Sequence, residues 1–395
     1  MTLNSTIERI GRGIRVGVVG GGEGALIGAV HRTAMRFDDH YEIVAGVLSR
    51  NEERSVDQGQ RLGLRRSYGN VAQMLSAEKE LKDGIDLVAI MTPNDTHASA
   101  SIAAIEAGYH VICDKPIAND FEAALSIARA VEKSDRKFCV TYNYTGYPMV
   151  RQARAMIAAG MIGRPHLVDV RYAMGNLGSL VEQSADLSPQ LQWRLDPDLG
   201  GANHLLLDVG THAQNLATFV LERQFKEVFA DVRPALQGRA FDDTAVILGR
   251  LDDDVRVTIS VTKAATGAPQ IFDISAFGDQ GGICWQQTNP NSLQLMREGK
   301  PLQIYGRGSE LLGEYAKRSI RLPYPHPEGF REAFANIYAD FAEIVSSAIA
   351  KVEPSAELLA HPGARDGARS LAWVDACVRS NKACAWVDVD DGSFR

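Results

Sequence analysis

What most limits the folds open to this chain is a rhythm in its first third. Short apolar, β-branched runs alternate there with helix-like segments. Arg15–Gly20 (RVGVVG) is a strand run that ends in glycine, and residues 24–37 read as a helix. Glu42–Ser49 is the next strand, followed by helical patterns at Glu52–Leu62 and Val71–Glu80. Leu87–Met91, His110–Cys113 and Lys137–Thr141 are further strands, separated by helices at His97–Ala107 and Asp120–Lys133. The strands are almost continuously apolar, as expected of strands covered by helices on both faces. Repeated strand–helix alternation predicts a parallel, doubly wound α/β sheet.

The rhythm changes near residue 142. A helix over Met149–Ala159 leads into a strand at His166–Met174, and the polar stretch Gly175–Gly201 reads as a long loop. After a helix at His212–Leu221 come five closely spaced strands: Glu227–Arg233, Thr244–Leu251, Val255–Val261, Ile271–Phe277 and Gly281–Gln286. Their short connections imply antiparallel pairing. Helices at Glu328–Ser347 and Ala364–Arg379 close the chain. With 395 residues, two domains are expected, 1–142 and 143–395, the second an α+β domain on an antiparallel or mixed sheet.

Composition narrows the partners. Lys+Arg is 42 against Asp+Glu 49, a net charge of -7, with no basic run. Such a balance gives no electrostatic reason to bind nucleic acid or an anionic membrane. No apolar stretch reaches the length of a bilayer span, and the opening MTLNSTIERIGRG lacks the apolar core of a secretory signal. The five cysteines are scattered and form no zinc-ligand spacing, the usage of a reducing compartment. A cytoplasmic protein is expected.

Gly20, Gly22 and Gly28 lie between the first strand and its helix. There they let the backbone approach a pyrophosphate, while the helix N-terminus supplies free N–H donors. The reading is a dinucleotide site, against a tight strand–helix turn with no ligand. The spacing reaches Gly28 three residues later than the usual third glycine and fits the variant ending in Ala when counted to Ala25. The second strand ends in Leu48-Ser49-Arg50-Asn51, with Arg54 one turn on, and lacks the acid that normally holds the NAD ribose. A hydroxyl and an arginine suit a 2′-phosphate, so the cofactor reading is NAD(P), leaning to NADP. Arg50 stacked on adenine, Ser49 on a ribose hydroxyl and Arg54 on a solvated helix face are the competing readings.

Two further segments carry chemistry. Asp114-Lys115-Pro116 follows a strand directly, where side chains face the ligand crevice of a parallel sheet. Asp208 and His212 are four residues apart, on one face if that turn is helical. His204 extends the spacing to H-x3-D-x3-H, but Gly210 interrupts the helix and no other ligand is nearby, so no metal site is expected.

With the glycine loop, Thr92-Pro93-Asn94-Asp95-Thr96-His97, Asp114-Lys115-Pro116, Trp193-Arg194 and Asp208-x-Gly-x-His212, the chain resembles the glucose–fructose oxidoreductase / inositol dehydrogenase / MocA family over essentially its whole length. The resemblance implies a Rossmann domain and a C-terminal domain with an open sheet. It implies that Lys115 touches the reacting hydroxyl and the nicotinamide ribose, that His212 is the acid/base, and that Asp208 orients it or the substrate. Thr92, Pro93, Asn94 and His97 match the segment lining the nicotinamide half, and Asn143 a polar substrate position. Asp114 stands where the family usually has Glu. Tyr144, Trp193 and Arg194 are further candidate substrate contacts, with core packing the competing reading for Trp193.

The function implied is hydride transfer between NAD(P) and a secondary hydroxyl or ketone of a sugar, inositol or sugar derivative. A retained-NAD glycosidase working by transient oxidation is the alternative, and a non-catalytic sugar- or nucleotide-sensing regulator a third. The open sheet predicts a homodimer or homotetramer.

Overall fold

The computed structural model describes residues 4–184 and 189–392. Residues 185–188, part of the stretch expected as a loop, lie outside the described residues. The chain forms two compact units. The first comprises the chain up to Ala118, Glu122–Asn143 and Phe334–Gly367; the second comprises Asn119–Phe121, Tyr144–Ala333 and the chain from Ala368.

In the first unit the order is α1 (Ser5–Ile10), β1 (Ile14–Gly20), α2 (Leu26–Phe37), β2 (Tyr41–Val47), α3 (Glu52–Arg61), β3 (Arg66–Ser67), α4 (Val71–Lys79), β4 (Leu87–Met91), α5 (His97–Glu106), β5 (His110–Cys113), α6 (Phe121–Glu132) and β6 (Phe138–Val140). The strands form one sheet in the order β3-β2-β1-β4-β5-β6, every pairing parallel. This is the doubly wound α/β sheet expected. Asparagines at the entry to α3 and α4, Asn51 and Asn70, each accept a backbone N–H of the first turn and start those helices. The strand order reverses between β1 and β4, so the crevice beyond their C-terminal ends is the ligand site this topology provides.

The contiguous expectation of 143–395 for the second domain is not how the chain divides. Phe334–Gly367, including most of a helix at Phe330–Ala350, packs in the first unit. Tyr338 explains why. It is fully buried, its hydroxyl meets His31 Nδ1 at 2.6 Å, and its carbonyl accepts from the Tyr41 hydroxyl at 2.7 Å. The backbone of Val140 in β6 also donates to the Pro362 carbonyl.

The second unit opens with α7 (Pro148–Ala158) and β7 (Pro165–Ala173). The expected loop Gly175–Gly201 instead carries two short helices, α8 (Pro189–Leu195) and α9 (Pro197–Gly200). A single π-helical turn, Leu206–Gly210, runs directly into α10 (Thr211–Leu221). Gly210 therefore does not interrupt the helix. Its surroundings are tight: a Cβ there would lie 3.3 Å from both Leu206 and the Trp373 ring, so those side chains would have to give by a few tenths of an ångström.

Strands β8 (Phe225–Arg233), β9 (Thr244–Leu251), β10 (Arg256–Thr262), β11 (Ile271–Gly278), β12 (Gly281–Gln286), β13 (Ser292–Met296), β14 (Gln303–Gly306) and β15 (Val387–Asp388) complete a nine-stranded sheet. Its order is β14-β13-β12-β11-β7-β10-β9-β8-β15. Only β7 and β10 pair in parallel; the other ladders are antiparallel. Period-two alternation sends Val257, Ile259 and Val261 inward along β10. The opposite face exposes Leu167, Val246 and Leu248 among charged residues. Among the described residues no helix is long and apolar enough to cross a membrane.

Candidate functional site

The glycine turn after β1 is a cradle that side chains would fill. Gly20 has φ +79°, and a Cβ on it would lie 2.7 Å from Thr92 Cγ2. A Cβ on Gly22 would lie 2.2 Å from Gln58 Oε1, and one on Gly28 2.4 Å from both Cα and O of Gly21. Gly28 thus lets α2 press against the turn, the role of the third glycine in dinucleotide folds. The long spacing arises because α2 starts only at Leu26. Arg32, one turn further along α2, donates to the Gly21 carbonyl. These residues fit a dinucleotide pyrophosphate.

At the end of β2, Ser49 Oγ accepts the Asn51 N–H at 3.2 Å. Arg50 is exposed and lies 3.4 Å from Asp95, and Arg54 is exposed on α3. Beyond β4, Thr92 Oγ1 accepts from Thr96 Oγ1 at 2.7 Å, and Asn94 is buried in the turn before α5. His97 is fully buried and ties two loops together. Its Nδ1 meets the Pro116 carbonyl at 2.8 Å and its Nε2 the Thr92 carbonyl at 2.9 Å. Burial, against the pull of Asp114 and the two carbonyls, lowers its pKa. The side chain therefore braces the Thr92-Pro93 and Lys115-Pro116 segments.

Asp114 and Lys115 follow β5, and the Lys115–Pro116 bond is cis. Asp114 accepts the Thr141 hydroxyl at 2.8 Å and faces His31 Nε2 at 3.5 Å. Burial opposes its charge, but the neighbouring His31, then Lys115 and His97, hold the carboxyl well below the usual range. The shorter arm in place of Glu reaches Thr141 and His31 through one oxygen, Oδ1. Asn143 is buried, and its Nδ2 has no hydrogen-bond partner among the described residues.

In the second unit, Asp208 sits within the π-helical turn and His212 in the first turn of α10. Single π turns are frequent at functional sites. His212 is 7% exposed, its ring edge-on to Tyr144 at 4.9 Å and tilted to Tyr172 at 6.3 Å. The Tyr144 and Tyr172 hydroxyls are 2.9 Å apart, and Gln270 Nε2 donates to both. Burial pushes both phenols up, so they stay protonated. Arg194 lies over the Trp193 ring at 5.0 Å.

The sequence reading missed Lys263. It is 2% exposed, and its Nζ donates to Asp208 Oδ2 and meets His204 Nε2 at 2.8 Å. His204 therefore faces an ammonium. Among the described residues no group of three or more His, Cys, Asp or Glu side chains is placed to hold a metal. The signal lay in the alternation of β10. Lys263 continues the inward positions 257, 259 and 261, where an apolar residue belongs.

Two buried histidines act as acceptors. His110 Nδ1 accepts the Lys137 N–H at 2.9 Å, and His204 Nε2 accepts from Lys263. Burial first, then neighbouring cations, lowers each pKa to about 4. The unfolded value is about 6.5, so the unfolded chain binds protons first as pH falls. Their stabilising contribution is complete above about pH 6.5 and is lost between there and about 4, at most about 1.4 kcal/mol per pH unit for each histidine. Urea midpoints should be flat from pH 7 to 8 and fall steadily below 6.5. His110→Asn should show a shallower fall; a slope identical to wild type would contradict this account.

Comparison with known proteins places the fold in a family. Residues 14–142 match the model described as "Oxidoreductase family, NAD-binding Rossmann fold" of GFO/IDH/MocA, and residues 150–284 match the GFO/IDH/MocA C-terminal domain. The uncharacterized oxidoreductase YfiI of Bacillus subtilis is 33% identical, over 98% of this chain and 100% of its own. The crystal structure of an inositol dehydrogenase homolog from Azotobacter vinelandii with NAD+ superposes at TM-score 0.90, with 32% identity, covering 96% of this chain and 98% of that one. The complex of that homolog with NADH and myo-inositol gives TM-score 0.87, with 31% identity and the same coverage. The levoglucosan dehydrogenase of Pseudarthrobacter phenanthrenivorans is 26% identical, over 71% of this chain and 76% of its own. The chain belongs to the GFO/IDH/MocA family of oxidoreductases. Within that family it is an enzyme with an NAD-binding Rossmann domain.

Proposed function

We propose that the enzyme transfers hydride between NAD(P) and a secondary hydroxyl or ketone of a sugar, inositol or sugar derivative. The observation that carries this reading is the position of Lys115. It stands at the C-terminal end of β5, in the same parallel sheet as the glycine cradle after β1 and the Thr92 turn after β4. The Azotobacter relative with NADH and myo-inositol and the levoglucosan dehydrogenase point to polyhydroxylated substrates.

When bound, the nicotinamide accepts or returns the hydride at its ring. Lys115 donates a hydrogen bond to the reacting oxygen and supplies positive charge there. His212 takes the hydroxyl proton during oxidation and returns it during reduction; imidazole has the right basicity near neutrality. Asp208 accepts a hydrogen bond from a neighbouring substrate hydroxyl or from His212. Asn143, Tyr144, Trp193 and Arg194 supply polar and stacking contacts to a hydrophilic ligand. Asn143 has an unspent donor to offer.

Ser49, Arg50 and Arg54 carry the lean to NADP, with no carboxylate at the end of β2. The uncovered sheet face with Leu167, Val246 and Leu248 favours a homo-oligomer. Nicotinamide absorbance on purified enzyme, with NAD and NADP supplied separately against polyols, free sugars and glycosides, tests the reading. Net reduction with a polyol or free sugar is expected, at a kcat/KM for NADP at least equal to that for NAD, and light scattering of the same sample should give a multimer mass. Aglycone release without net reduction would instead mark a redox-neutral glycosidase.

A further inference from the structure

Lys263 is a cation where a strand's inward face calls for an apolar side chain. Its backbone is pinned on both sides: its N–H donates to the Asp243 carbonyl at 2.8 Å, and its carbonyl accepts from Leu177 at 2.9 Å. The ammonium is thus delivered to one point, where it meets Asp208 and His204. A lysine ammonium has no acceptor capacity, so His204 Nε2 must accept and the ring must carry its proton on Nδ1. His204 is also hydrogen-bonded to the backbone of Arg194, a bond left to Nδ1–H. A chain of fixed polarity results, from the Arg194 carbonyl through His204 and Lys263 to the Asp208 carboxylate.

We propose that Lys263 is a positioning residue for the reaction: it keeps Asp208 ionised and fixes its carboxylate as a hydrogen-bond acceptor within the π-helical turn. The inference rests on the reading of Asp208 as part of the reacting site. A buried lysine paired this way costs desolvation, and an apolar set in place of the whole cluster would often hold the fold as well, so the pair is weak evidence of a purely stabilising role. Its value lies in Asp208. The carboxylate side chain is 28% exposed, while the ammonium behind it is 2% exposed. Asp208 can therefore face a ligand and Lys263 cannot. Without the cation, the carboxylate loses the opposite charge that favours its ionised form, and a protonated carboxyl would present a donor where substrate or His212 needs an acceptor.

Among the described residues, the charged and titratable groups that interact with Asp208 include Lys263 beyond β10, His204 before the π turn, Tyr144, and Tyr172 in β7, with His212 one turn on in α10 and Arg194 acting on His204. The two phenols stay neutral over the working range, and His204 remains neutral above about pH 4. Removing Lys263 also takes a neighbouring cation and a donor from His204, whose pKa would rise, so the Asp208→Asn background is needed to assign the shift to Asp208.

The test is Lys263→Met, which keeps length and loses charge, with Lys263→Arg as the conservative partner. In Lys263→Met, kcat/KM for the oxidised substrate should fall about 10- to 100-fold. The acid limb of its pH profile should move up by about one pH unit or more. NADH affinity by fluorescence titration should stay unchanged. Lys263→Arg should return the acid limb towards wild type whatever its kcat. In an Asp208→Asn background, adding Lys263→Met should change little. A kcat/KM loss with an unmoved acid limb, or wild-type values throughout, would overturn the proposal. If wild type turns over nothing on the panel, the functional reading fails by itself. Infrared titration of the carboxylate band, with Asp208→Asn as reference, then still decides whether Lys263 holds Asp208 ionised.

Discussion

His212→Ala and Lys115→Ala should each lower kcat by about 10²- to 10⁴-fold, the range for removing a proton-transfer or charge-stabilising group. Neither change should unfold the chain. The hydroxyls that pack beside His212 bond to one another and to Gln270, so truncating the imidazole leaves that network satisfied. Lys115 is only partly buried and contributes no core volume. Loss of the base removes acceptance of the hydroxyl proton, which affects kcat and kcat/KM alike. Loss of Lys115 also removes a contact expected at the nicotinamide ribose, so its effect should extend to cofactor affinity. Steady-state kinetics beside thermal melts separate these cases. Near wild-type kcat/KM in both variants would remove them from the reacting site.

Gly28→Val should abolish measurable NAD(P)H binding and lower the melting temperature. The Cβ alone would sit 2.4 Å from Cα and O of Gly21, closer than atoms can approach, and both neighbours are backbone. Helix α2 would have to withdraw from the turn, carrying its N-terminal N–H groups away from the pyrophosphate. Overpacking of this kind costs about 1–3 kcal/mol or more. Gly24→Ala is the control. Gly24 has φ +81° but nothing within 4 Å of a Cβ. That change should cost about 1 kcal/mol in backbone strain and leave cofactor affinity nearly intact. Equal losses of affinity in both variants would mean that loop flexibility, not the Gly21–Gly28 approach, sets binding.

The first unit was legible because its strands are covered on both faces and so read as unbroken apolar runs. The two-residue β3 and the short helix α1 escaped. In the second unit the alternating strands β8 to β12 were visible, whereas β13, β14 and β15 were not. Ser292–Met296 alternates over five residues only, and Val387–Asp388 is too short to show a period. Gly210 was read as a helix break because glycine disfavours helices, yet the π turn runs through it into α10, with Leu206 and the Trp373 ring packed close to where a Cβ would lie. The segment motifs around Lys115, Asp208 and His212 stood out because their residues are close in sequence. Lys263 did not, because it reaches Asp208 through tertiary packing from the end of another strand. The placement of Phe334–Gly367 was invisible for the same reason: Tyr338 finds His31 and Tyr41 only in three dimensions.

That last placement bears on how the protein is made. On the ribosome, β1 to β6 emerge early, but Tyr338 and the Pro362 carbonyl, which complete their packing, are among the last parts to be synthesised. The nascent nucleotide-binding sheet must wait, with the His31 environment unfilled, while β7 to β14 are translated. Vectorial synthesis therefore leaves both units unfinished until late, the first waiting for Phe334–Gly367 and the second for the segment from Ala368 that carries β15, and a gene cut at residue 142 would encode a sheet that never receives its closing helix.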